Sequence, residues 1–245
     1  MSFGLTLADA LVLLVIAAAA ALVWLTEARR MSRLGRPAER RRMAALAGGV
    51  VIAMLVVAPP LDWLGARWFS VHMLQHLLLI AGAAPLVAWS RPGWTIAAVL
   101  PIPSVHPRRL EAAWAAAALF AVAILLWHIP VTHDWALRDP AGHALEHLSV
   151  FGTAIGFWRC VVFSGSGVSR GVTILIVWLI SLQGALLSAV IMFAPVQLCR
   201  SYADNPLTDQ ILAGLLMCIP ASLLYAGSTI WALARLFDDR TSHAR

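Results

Sequence analysis

The residues best suited to chemistry in this 245-residue chain are histidines. His72 and His76 stand four apart, and so do His143 and His147. On a helix, positions i and i+4 lie about 40° apart around the axis and one turn apart along it, so each pair presents both imidazoles on one face. Two neutral imidazoles so placed can chelate one transition-metal ion. Glu146 follows His143 by three residues and precedes His147 by one, on nearly the same side. It can act as a ligand, or as an acceptor that fixes a ring tautomer. Met73 adds a thioether beside the first pair. Imidazole suits zinc, copper, iron and nickel, and a thioether tilts the choice toward Cu(I). Imidazole with a carboxylate and an activated water suits catalytic zinc. Residue types alone do not separate these.

The remaining candidates carry plainer alternatives. His128 adds a further imidazole between the two pairs in sequence. His133, beside Asp134, is expected to be an ordinary interfacial residue, while His106 and His243 are expected to be solvated. Asp209 is either a helix N-cap or a site carboxylate, and Asp62 is either interfacial or turned into the cavity. Gln75 and Gln183 are expected to hydrogen-bond neighbouring helices. The three cysteines, Cys160, Cys199 and Cys218, form no CxxC, which disfavours a thiol–disulfide or four-sulfur metal site. The chain has no P-loop, no GxSxG elbow, no dinucleotide-binding glycine pattern and no CxxCH haem attachment. A bis-His b-haem would ordinarily be held deeper in a helix bundle than these histidines.

The elements that must position these groups are membrane spans. Hydrophobic residues make up 61% of the chain and charged residues only 12%, with a mean hydropathy of +0.82. A soluble domain carries about 25% charged residues, so a water-soluble globule is excluded, as are a disordered chain and a disulfide scaffold. A span needs about 20 apolar residues. Seven are expected, roughly 5–25, 43–62, 71–90, 110–129, 143–163, 171–194 and 210–235, forming a single domain over 1–245. The fold class is therefore an all-α, polytopic membrane bundle of seven helices. Between Trp94 and Ile102 the apolar run is short and broken by Pro101 and Pro103, and reads as an interfacial loop.

All 18 basic residues are Arg, and seven of them, from Arg29 to Arg42, follow the first span. The residues before that span are uncharged, unlike a cleavable signal peptide. The positive-inside rule puts the Arg-rich loop in the cytoplasm, the N-terminus outside and the C-terminus inside. Fifteen Arg then lie on the cytoplasmic side, and only Arg67, Arg138 and Arg200 lie outside. Attraction to the anionic inner leaflet accounts for the basic balance without a nucleic-acid partner. With this topology His72, His76, His128, His133, His143 and His147 all fall at the outer mouth of the bundle. Ionisable groups at membrane depth usually face the interior or a water-filled cavity, so a shared site is expected there. Trp63, Trp68, Trp89, Trp127 and Trp135, near span ends, are expected to be interfacial anchors.

These residues also carry a resemblance. His72-Met-Leu-Gln-His76 opens one helix, Trp127-His-Ile-Pro130 ends another, and Asp134-Trp-Ala-Leu137 follows. His143-Ala-Leu-Glu146-His147 comes next, with Gln183-Gly-Ala-Leu-Leu-Ser188 and an Asp209-Gln210 … Ala213-Gly214 … Met217 … Pro220 stretch beyond. From about residue 60 to 225 this string resembles the polytopic CtaG family of caa3-type cytochrome c oxidase assembly factors. Cys218 departs from the aromatic residue expected there. The resemblance implies a metallochaperone in the bacterial inner (plasma) membrane, handling copper on the periplasmic side during oxidase maturation. It matches His72, His76, His128, His143, Glu146, His147 and Asp209 to the family's polar positions, and Met73 is added as a ligand from its place beside the first pair. The expected cargo is copper, with zinc the alternative. Expected partners are oxidase subunits and membrane lipids, with a homo-oligomer left open. No enzymatic activity is expected. The rivals are an intramembrane zinc hydrolase using Glu146 or Asp209 as general base, a copper importer, and a metal-free assembly scaffold.

Overall fold

The computed structural model describes residues 22, 25 and 29, then 37–90, 110–164 and 168–243. The expected first span, the Arg30–Arg36 and Arg91–Arg109 segments, the Trp94–Ile102 loop and His106 fall wholly or mostly outside these residues. Every regular element among the described residues is helical. In chain order they are α1 (Pro37–Val56), α2 (Pro59–Arg67), α3 (Phe69–Leu77), α4 (Ala84–Ser90), α5 (Leu110–Trp127), α6 (Pro130–Arg138), α7 (Pro140–Val162), α8 (Val168–Phe193) and α9 (Leu207–His243).

Among the described residues, four stretches are long and apolar enough to cross a bilayer: Phe69–Ser90, Leu110–Trp127, Arg170–Phe193 and Leu207–Phe237. A bent pair, Arg40–Val56 with Pro59–Arg67, passes the same test as one unit. The α7 helix is 23 residues long, but its first turns carry His143, Glu146 and His147. The expected second span over 43–62 is not one straight helix. It stops at Val56 and restarts at Pro59-Pro60 with a 51° bend. Proline supplies the reason: it has no N–H to donate and its ring displaces the preceding turn, so it fits best where a helix begins and favours a break before Pro59-Pro60.

The Phe69–Ser90 span is continuous but widens into a π turn over Leu78–Ala83. In an i→i+5 turn the Ile80 carbonyl would take its bond from residue 85, which is a proline. The Trp158 indole donates to that carbonyl instead, at 2.8 Å. Gln75 donates to the Val56 carbonyl at 2.9 Å and Gln183 to the Ala121 carbonyl at 3.2 Å, so both intramembrane amides join helices as expected.

Two apolar clusters hold the bundle. The larger joins α4, α5, α7, α8 and α9 through residues such as Phe120, Phe157, Trp158, Ile176 and Tyr225. The smaller packs Phe69 and Met73 against Ile191, Cys199, Tyr202 and Ala213. Close approach of α8 and α9 depends on Gly214, where a Cβ would come within 3.0 Å of the Ser188 carbonyl and the Met192 side chain. The outward faces are apolar, with Leu119, Leu186, Val190, Leu223 and Ile230 exposed, as lipid contact requires. Trp63, Trp89 and Trp135 are exposed in the manner of anchors. Trp127 is not: it is buried, its indole donates to Ser149 at 2.7 Å, and its ring stacks on Trp135.

At the end where α3 and α7 begin, three short segments close over the bundle: α2, α6 and a 3-10 turn at Arg200–Tyr202. Side chains pin each to backbone. Tyr202 donates to the Gly65 carbonyl at 2.7 Å and Asn205 to the Arg67 carbonyl at 2.8 Å. Asp134 accepts from the amides of Arg200 and Ser201 at 3.1 and 2.9 Å. Although burial works against its charge, these amides hold the Asp134 carboxyl below its ordinary range.

Candidate metal centre

Each half of the site comes from the first turns of a helix. His72 and His76 stand on α3, which has no side-chain cap of its own. Asp209, from the first turn of α9, caps it from across the bundle. It accepts from the Phe69 amide at 2.8 Å, the Ser70 amide at 3.2 Å and the Ser70 hydroxyl. His143 and His147 stand on α7, whose own N-cap Asp139 accepts from Ala141 and Gly142 ahead of Pro140 at the first helical position. Both i, i+4 pairs therefore project into the space between α3 and α7. The ring centroids of His72 and His76 are 4.7 Å apart, and those of His143 and His147 are 4.4 Å apart. The pairs face each other, with His72–His147 at 5.7 Å and His76–His147 at 5.5 Å.

Glu146 is the hub. Its side chain is fully buried, and its Oε1 lies 3.3 Å from His72 Nε2, 3.4 Å from His76 Nε2 and 3.5 Å from His133 Nδ1. A buried carboxylate is costly unless paired with positive charge or well hydrogen-bonded. Here its nearest partners are imidazoles that still have nitrogens to offer. Nδ1 of His72 and His76, Nε2 of His133, His143 and His147, and Oε2 of Glu146 are buried without a hydrogen-bond partner. Buried polar atoms are ordinarily paired, so unpartnered nitrogens on several imidazoles gathered around one buried carboxylate mark a place for a cation.

Among the described residues, three sets of groups converge closely enough to hold one: His72–His76–His147, Asp62–His143–His147 and His72–His133–Glu146. Within each set the ligand atoms all lie within 4.8 Å of one another. In a tetrahedral site with bonds near 2.0–2.1 Å, ligand atoms sit about 3.4 Å apart, so small side-chain movements close any of the three.

The structure thus brings together five of the residues expected from sequence: His72, His76, His143, Glu146 and His147. His128 and Met73 adjoin them. His128 Nδ1 donates to the Ile124 carbonyl at 2.7 Å, which directs Nε2 toward Met73 Sδ at 3.4 Å, and its ring lies 5.9 Å from that of His76. Asp209 is in none of the converging sets, because its oxygens are occupied in capping α3. Cys199 packs against Met73 and Phe69, and burial pushes its thiol up to about 12; it is in none of the converging sets.

Two residues of the converging sets were not among the expected ligands. His133, expected to be interfacial, is buried, and its ring packs against those of Phe69 and His72. Asp62, whose role was open, lies 3.6 Å from His143 Nδ1. Each sits on a short helix opened by proline, Pro59-Pro60 for Asp62 and Pro130 for His133. An Xaa-Pro start at Ile129-Pro130, ending at the next Xaa-Pro start Asp139-Pro140, was the available sign that residues 130–138 form a helix and not a loop.

A family model described as cytochrome c oxidase caa3 assembly factor matches residues 9–239, nearly the whole chain. No curated protein and no solved structure matches it.

Proposed function

The chain belongs to the caa3 cytochrome c oxidase assembly factor family, and on that premise we propose that it holds a transition-metal ion, copper in the first place, as cargo for the oxidase. The observation that carries this reading is the fully buried Glu146 carboxylate ringed by imidazoles with unpaired nitrogens. A cation beside Glu146 offsets the buried charge and gives the imidazole nitrogens that face it a partner. His72, His76, His133, Glu146 and His147 are the residues that would hold it. His128 and Met73 add a nitrogen and a thioether beside them, which favours copper over zinc.

In this reading the bundle has seven spans. Residues 5–25 supply the first, the bent α1–α2 pair the second, and α7 the fifth. The N-terminus is outside and the C-terminus in the cytoplasm of the bacterial inner membrane. The cluster then opens to the side where an oxidase subunit would receive copper. Handover requires ligands that can be exchanged, and a group offering more nitrogens than one ion uses meets that need without covalent chemistry. The protein acts as a metallochaperone and not as an enzyme, with oxidase subunits as its partners.

Metal analysis of the detergent-purified protein after copper loading and desalting tests this. At least one equivalent of copper is expected, with one equivalent lost in His72→Ala/Glu146→Gln. Tightly held zinc that resists exchange by copper would favour the hydrolase reading. Loss of no metal on substitution would overturn the assignment.

A further inference from the structure

The converging groups contain more ligands than one ion needs, and two of the three sets share no residue. His72, His133 and Glu146 form one set of two imidazoles and a carboxylate; His143, His147 and Asp62 form another. His76 lies between them, within ligand distance of both His72 and His147. We infer that the protein has two metal seats, a buried one at His72–His133–Glu146 and an entry seat at Asp62–His143–His147 through which the ion reaches it. The inference rests on the proposed metal-holding role and deepens it.

Three features support the division. Each seat has its own carboxylate, so each can offset the charge of its own cation and both can be filled together. Exposure falls in one direction: the Asp62 side chain is 35% exposed and that of His143 19%, whereas His72 and Glu146 are at 0%. Solvent therefore reaches the second seat and not the first. The residues of the entry seat also carry unspent nitrogens, since Nε2 of His143 and of His147 are buried without a hydrogen-bond partner, while Nδ1 of His143 faces Asp62. Between the seats, the set His72–His76–His147 shares one ligand with each. An ion leaving the entry seat can keep His147 while it gains His76 and His72, then keep His72 while it gains His133 and Glu146. At no step must it shed all protein ligands at once.

Titration of the full-length, metal-free protein with Cu(II), followed by elemental analysis and electron paramagnetic resonance, tests this. Wild type is expected to take two equivalents with a broadened, magnetically coupled signal. Asp62→Asn/His143→Gln is expected to take one, with an isolated mononuclear signal, and to load the remaining seat at least tenfold more slowly. The single variants Asp62→Asn and His143→Gln are carried alongside, so that misfolding of the pair does not decide the result. Wild-type saturation at one equivalent would overturn the second seat, as would two coupled equivalents in all three variants. An unchanged loading rate would overturn its role as the entry. If one equivalent binds and is lost in Glu146→Gln but not in Asp62→Asn, the entry seat falls while the proposed function stands. If no variant alters copper uptake, both fall.

Discussion

Two groups of buried polar side chains share one end of this bundle, and they are satisfied in opposite ways. In the first, Asp209, Asp134, Gln210 and Tyr202 spend their hydrogen bonds on backbone. Asp209 caps α3, Asp134 holds the 3-10 turn, and Gln210 accepts from the Leu198 amide at 2.9 Å while donating to the Val196 carbonyl at 3.1 Å. In the second, the histidines around Glu146 meet mainly one another, and several of their nitrogens have no partner. Burial and residue type do not distinguish the groups, since both contain fully enclosed ionisable or amide side chains. Unspent hydrogen-bonding capacity does. A satisfied group stabilises the fold, whereas an unsatisfied one destabilises it until something binds.

That contrast predicts effects of opposite kinds. The largest is expected in the unsatisfied group: Glu146→Gln or His72→Ala should weaken copper binding by at least ~100-fold, the upper end of what losing even an indirect metal partner costs, as read by competition with a chelator of known affinity. Next comes Asp209→Ala, which leaves the buried Phe69 and Ser70 amides unpaired and should cost about 2–4 kcal/mol of stability, seen as a lower Tm in detergent. Copper affinity of the folded fraction should change far less than in the first pair. His76→Leu sharpens the comparison, because it removes two buried nitrogens that make no hydrogen bond. The metal-free protein should be unchanged or more stable by about 1–2 kcal/mol, while copper binding weakens. Smallest is Tyr202→Phe, which loses one bond to the Gly65 carbonyl. It should cost about 1 kcal/mol, with copper stoichiometry intact in the same titration. Equal loss of stability and binding across all five would erase the distinction between the groups.

Much of the site was legible because it depends on local spacing. The i, i+4 pairs and Glu146 share helix faces whatever surrounds them, and the long apolar runs locate most of the helices. Gln75 and Gln183 behave as intramembrane amides must. Four features were not legible. His133 enters the cluster because α6 folds back over the bundle, and Asp62 because α2 does. Asp209 was recognised as a cap or a site residue, but the helix it caps is separated from it by 140 residues. Trp127 has the position of an anchor, yet Ser149 supplies a partner for its indole inside the bundle. All four turn on which segments meet in space, and periodicity along one helix carries no information about that.

The central claim is that imidazoles around Glu146 hold the metal, and X-ray absorption at the copper edge of the loaded protein tests it most directly. The account predicts a nitrogen- and oxygen-dominated shell at about 2.0 Å with the multiple scattering of at least two imidazole rings, both diminished in His72→Ala/His147→Ala. A shell made only of sulfur, or an imidazole signal unchanged in that variant, would contradict it.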